Sequence, residues 1–341
     1  MNFYDLIESD RKEYFKILES DFPEFLNDYI NSKEMQRLRF VGNCCGINYS
    51  KLFEGSKFYS VLEHSVGVAL IIWHFTHSKI QTLAGLFHDI STPVFKHSID
   101  FMNGDYANQE STEDLTVKVL NNSTEIMNLL KRDKILLEDI CDYHNYPIAD
   151  NNTPRLAADR LEYTFSNALF TYGLANIDEV KEIYNDIEIQ KNEENVDELG
   201  FKTKKFARNL VKISSKLSVI YRCNRAHFSM QLIADIVKKM VEENKLTVND
   251  LYTLKEEDVI KIIENSKYAE IFNKWKNAKN INISKNKPEN VYSVHLKSKI
   301  RWINPLVCGV RIKDICKIAK NYIDKNFAYD MSSYVYLDFD F

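Results

Sequence analysis

Apolar residues occupy nearly every face of the stretch 61–77, VLEHSVGVALIIWHFTH. A helix built from it has no broad polar stripe to turn to water, so the pattern predicts a buried helix. Residues 79–89, KIQTLAGLFHD, follow at helical spacing and set Ala84, Leu86 and Phe87 inward. Pro93 disfavours helical geometry at Thr92, so this second helix must end near Asp89 to Ser91. His88 and Asp89 therefore fall at a helix end. Neighbours within a helix diverge by about 100°, whereas at a fraying end both side chains can converge.

The same periodicity predicts helices on both sides of this pair. Residues 9–30 carry apolar groups at helical spacing, and Ser32 is placed to cap a short helix with EMQRLRFV. Gly46, Asn48 and Gly55 break the pattern over 43–60, a loop or small hairpin that reads either as a connector or as a wall of a pocket. Further helices are expected near 112–120, 124–131, 134–143, 153–170 and 177–190. Beyond them come 203–217, 228–244, 255–264, 269–276 and 312–325. Residues 291–298 and 332–341 alternate and are rich in aromatics, as strands are. The expected fold class is mainly α: a helical bundle, a helical C-terminal extension and a small terminal β element. The charged run KNEENVDELGFKTKK marks a boundary, dividing the chain into 1–190 and a mostly helical 191–341.

Composition narrows the class further. With 341 residues and 45% hydrophobic content the chain can bury a large core, and nine Gly and six Pro leave little for long loops. A net charge of −4 gives no bulk attraction to nucleic acid or anionic membranes, which argues against nucleic acid as the principal partner. The six cysteines show no CxxC spacing, which favours reduced thiols and a cytoplasmic protein over a disulfide or zinc-finger framework. The charged N-terminal residues do not read as a signal peptide, and the apolar run 66–75 is too short to span a bilayer.

Candidate chemistry concentrates between residues 61 and 110, which hold five of the eight histidines. His64 lies within the first buried helix, and His88-Asp89 ends the next. Asp159 sits among Leu156, Ala157, Ala158 and Leu161, where a carboxylate is costly to bury without a partner cation. Imidazole nitrogens with carboxylate oxygens suit a divalent ion such as Mn, Fe, Ni, Co, Zn or Mg. Taken singly, each is as readily a hydrogen-bonded or exposed residue. Their combination and order carry the signal.

In that order they resemble the HD-domain metal-dependent phosphohydrolases. The layout is most like the deoxynucleoside triphosphate triphosphohydrolase branch, which includes the SAM-and-HD-domain enzyme. The motifs in this chain are Gln36-Arg37-Leu38-Arg39, Glu63-His64-Ser65, AGLFHD ending at Asp89, and the later Asp159. They cover roughly residues 33 to 170. The resemblance implies that His64, His88, Asp89 and Asp159 hold the metal, while Arg160 and Tyr163 hold phosphate. It also implies a homo-oligomer, a dimer by likeness.

The chain departs from that pattern at several points. After His-Asp the family has Leu-Gly-His-Gly-Pro-Phe-Ser-His, and this chain has Ile90 to His97. His97 and Asp100 are kept as candidates for proton transfer, and Thr92 replaces the family's first histidine. Gln109-Glu110 stands where the family has His-Glu, and Asn43 and Asn167 stand at sugar-reading positions. His144, in a polar loop before Asp159, is a further candidate for contacting phosphate. The expected activity is metal-dependent hydrolysis of a phosphoester or phosphoanhydride in a small phosphorylated substrate, a nucleotide by resemblance. The alternatives are a nucleotide-binding sensor with little turnover and a phosphoesterase acting on nucleic-acid ends.

Overall fold

A computed structural model of the chain describes residues 1–107, 109 and 115–339. At its centre lies the Val61–Thr76 helix, in which every residue from Val61 to Ile72 is buried. Its start is fixed by a capping box. Ser60 Oγ accepts from the Glu63 N–H, and Glu63 Oε2 accepts from the Ser60 N–H at 2.9 Å. Glu63 is also ion-paired with Arg11, whose guanidinium lies 5.5 Å from the rings of both Tyr59 and Phe170. Around this axis pack the Lys12–Leu18, Lys79–Phe87 and Ala158–Ser166 helices.

The Lys79–Phe87 helix approaches the central one where Gly85 faces Ile72. A Cβ at Gly85 would lie 2.2 Å from the Ile72 Cδ1. The glycine sets the distance between the two helices that carry His64 and His88.

Among the described residues 56% are helical and 7% lie in strands, so the mainly α expectation holds. No helix there is long and apolar enough to cross a membrane. Several predicted elements take a different form. Residues 134–143 make no helix, because Lys134 turns left-handed to close the Thr124–Asp133 helix. Only short 3-10 turns at Leu137–Asp139 and Tyr143–Asn145 follow, the second started by the Asp142 side chain accepting from the His144 N–H. The helix expected over 153–170 begins at Ala158 and ends in a π turn, Asn167–Thr171. The one expected over 177–190 stops at Asn185. The one expected over 312–325 breaks at Cys316 into Ile312–Ile315 and Lys317–Phe327. The 112–120 expectation falls partly outside the described residues, as do Glu110 and the end of the 332–341 strand; a helix runs from Thr116 to Asn122.

The charged run read as a boundary forms a hairpin of Ile187–Lys191 and Asp197–Phe201. Its second strand pairs in parallel with Leu306–Val307, which turns back antiparallel onto Val310–Arg311. A second sheet places Tyr334–Tyr336 between Asn282–Ser284 and Ser293–Val294. The later helices close against the earlier ones, Asn224–Glu242 on His97–Met102 and Lys204–Tyr221 on the Ala158–Ser166 helix. That docking brings residues near 300 to the mouth of the histidine cluster.

The Gly85 contact is directly testable. Replacing Gly85 by Val should lower stability by about 1–3 kcal/mol through overpacking against Ile72. Urea unfolding measures this, and an unchanged midpoint would show that the helices tolerate a side chain there.

Candidate metal centre and the cavity around it

His64, His88, Asp89 and Asp159 meet at the C-terminal end of the Lys79–Phe87 helix. His64 Nε2 lies 3.3 Å from His88 Nε2, 3.1 Å from Asp159 Oδ1 and 3.7 Å from Asp89 Oδ2. His88 Nε2 lies 3.6 Å from Asp89 Oδ2 and 3.7 Å from Asp159 Oδ1. Donors bonded to one ion at about 2.1 Å stand about 3.0–3.5 Å apart, so this spacing fits a divalent ion with little movement. Donor atoms of His64, His88 and Asp89, one from each, lie within 4.8 Å of one another. Asp159 joins them through the two imidazoles.

Both rings are turned so that Nε2 faces the cluster. His88 Nδ1 donates to the Gly85 carbonyl at 2.7 Å. His64 Nδ1 is hydrogen-bonded to Glu162 Oε2. Such outer bonds fix which nitrogen is offered to a metal. Glu162 is wholly buried and also accepts from Tyr59 Oη at 2.7 Å and from Tyr14 Oη and Ser166 Oγ at 3.2 Å. It can approach because Gly67 has no side chain: a Cβ there would lie 2.7 Å from the Glu162 Cγ.

These charges shape the titration of the cluster. Burial opposes a charged His64, but Glu162 and Asp159 outweigh it and push the imidazole up to about 9. Burial holds His88 below the ordinary histidine value. Asp89 and Asp159 resist their burial and lie well below the usual carboxylate range, Asp89 beside Lys96 and the imidazoles and Asp159 beside His64.

The remaining candidates take distinct places. Thr92 does not line the cavity, and its Oγ1 donates to Asp89 Oδ1 at 3.0 Å. Its carbonyl accepts from Arg37, so the Gln36–Arg39 segment reaches Asp89 through Thr92. His97 Nδ1 and Asp100 Oδ2 are 2.9 Å apart, with Asp100 fully buried. Arg301 Nη2 lies 3.3 Å from His97 Nε2. A guanidinium can only donate, so Nε2 accepts and Nδ1–H donates to Asp100. Burial and Arg301 hold this imidazole below its ordinary value.

Arg160 lines the cavity but is already held by Asp150 at 2.9 Å and by the Asn151 and Arg155 carbonyls. Tyr163 lines the cavity under Arg301, 5.8 Å from ring centre to guanidinium. Asn167 lines it too, its amide donating to the Tyr163 carbonyl at 2.8 Å. Asn43 Oδ1 accepts from Lys96 Nζ at 2.7 Å. His144 sits at the rim with its side chain 53% exposed, 2.8 Å from Asp142 and 3.5 Å from Asp150.

Three residues at this centre were not singled out in the sequence. Glu162 had a readable signal, since it lies three residues after Asp159 and shares its helical face. Lys96 and Arg301 had none. Lys96 enters because Phe95 and Lys96 both adopt positive φ, 63° and 42°. Arg301 arrives on the segment 298–302, which contributes one wall of a cavity of about 220 Å³. Asn43, Cys44, Cys45 and Ile47 line it as well, so the early loop does wall the pocket.

No family model matches this chain. It is 24% identical to the uncharacterized protein YdhJ of Bacillus subtilis (strain 168) over 247 residues, 72% of this chain and 73% of that protein. The fold is similar to a hypothetical protein from Aquifex aeolicus, with a TM-score of 0.60, 17% identity and 93% of each chain covered. The architecture is thus one found in a solved structure.

Two substitutions test the supports of the centre. Glu162→Gln should weaken divalent-ion binding by about 10- to 100-fold, read by calorimetric titration of Mn²⁺. Equal affinity would show that the Glu162 bond does not orient His64. Glu256 braces the loops from behind, its Oε2 accepting from the Gly42 and Phe95 N–H groups at 3.1 and 3.3 Å. Burial pushes its carboxyl up to about 7. The folded protein therefore binds this proton more tightly than the unfolded chain, and the stability it confers is lost as pH rises through 7. Urea midpoints of wild type and Glu256→Gln should nearly coincide at pH 5, with the variant ahead at pH 8.

Proposed function

We propose that this protein is a metal-dependent phosphohydrolase of the HD-domain type, acting on a phosphoester or phosphoanhydride of a nucleotide. The observation that carries the reading is the convergence of His64, His88, Asp89 and Asp159 with both Nε2 atoms turned to one point. An ion held there would polarise a phosphoryl group and bring a bound water toward neutral pKa.

The chain's own residues support the rest. Lys96, Arg160, Lys299 and Arg301 line the cavity, giving an anionic substrate several cationic neighbours. Tyr143, Tyr172, Tyr221 and Trp302 line it as well, offering faces to a planar base. His97, neutral and held between Asp100 and Arg301, is placed to take or return a proton within the cavity. Thr92 acts by orienting Asp89, which leaves proton transfer to His97.

Purified protein screened against nucleotides and generic phosphoesters with Mn²⁺, Ni²⁺, Co²⁺ and Mg²⁺ tests this. Turnover should depend on the ion, and His88→Ala or Asp89→Ala should cut kcat by roughly 100-fold or more. Turnover that survives both changes would refute the metal assignment. A bound ion and a bound nucleotide without turnover would instead identify a sensor.

A further inference from the structure

Lys96 is placed in the centre at evident conformational cost. Positive φ is uncommon outside glycine, and here it occurs at two bulky neighbours, Phe95 and Lys96. Three contacts hold the segment in that shape. The Val94 N–H donates to the Leu251 carbonyl at 2.8 Å, and the Phe95 N–H donates to Glu256. The buried Phe95 ring fills the space beside Gly46, where a Cβ would lie 2.5 Å from it. The outcome is an ammonium 2.7 Å from Asp89 Oδ2 and 2.7 Å from Asn43 Oδ1. Asp89 Oδ2 is the oxygen that faces both imidazoles.

We propose that Lys96 sets the metal affinity of this site, its ammonium competing with a divalent ion for Asp89 Oδ2. This rests on the metal reading of the four-residue cluster, and not on the hydrolysis of any substrate. A cation held beside a ligand oxygen has two opposite effects. It neutralises the carboxylate while the ion is absent, which keeps the preformed centre from repelling itself. It also takes electron density and space from the incoming ion, which must share Oδ2 or displace the ammonium. Lys96 is therefore a positioning residue for Asp89 in the free protein and a competitor of the ion.

The test is calorimetric titration of Mn²⁺ into metal-stripped wild type and Lys96→Met, with melting temperatures of both in the absence and presence of Mn²⁺. The variant should bind at least about tenfold more tightly. It should melt below wild type when metal-free and gain more from Mn²⁺, because what binds only the folded state stabilises it according to its affinity. If Lys96→Met does not fold, Lys96→Gln removes the charge while keeping a donor for Asn43, and the same tightening is expected. Wild-type binding matched by equal or weaker binding in the variants would overturn the proposal and leave the metal reading standing. Absence of binding in all of them would overturn both.

Discussion

The organising constraint of this molecule is one buried imidazole held between two carboxylates of a single helix. Asp159 and Glu162 lie three residues apart, so both reach His64, one at each ring nitrogen. A carboxylate as deeply buried as Glu162 must be supplied with donors, and it draws them from Tyr14, Tyr59, Ser166 and His64. Those donors lie on the first helix, on the loop before the central helix, and on the helices that carry the cluster. One carboxylate thus ties together the elements that must be aligned for His64, His88, Asp89 and Asp159 to meet.

The C-terminal extension is part of the same construction. Leu251 and Glu256 hold the strained turn at Val94 and Phe95, and Arg301 completes the polar chain from Asp100 through His97. Gln109 Oε1 accepts from Arg301 at 2.7 Å, so the position that departs from the expected His-Glu still takes part in that chain. The cavity has one wall from residues 43–47 and another from residues 298–302.

Much of this was legible in the sequence because it is local. The two buried helices, the placement of His88-Asp89 at a helix end, and the mainly α class all follow from periodicity and from Pro93. What was not legible depends on distant partners or on backbone shape. Residues 134–143 are apolar enough for a helix, but the left-handed Lys134 closes the preceding one and the Asp142 side chain diverts the next turn. The run at 191–205 is charged like a linker, yet its hairpin strand is held by partners more than a hundred residues away. Thr92 stands where the family has its first histidine, and the bond of its hydroxyl to Asp89 Oδ1 is not readable from that alignment. Arg160 likewise turns its Nε and Nη2 groups to Asp150, Asn151 and Arg155, which propensity and motif order do not reveal.

The pinning of the Val94–Lys96 turn by Leu251 and Glu256 has a consequence for synthesis. All four candidate metal ligands leave the ribosome long before the residues that hold that turn and the wall at 298–302. During that interval the cluster has no lysine forced against Asp89 and no roof over its imidazoles. The shape that sets Lys96 against Asp89 is therefore completed only when the later helices dock.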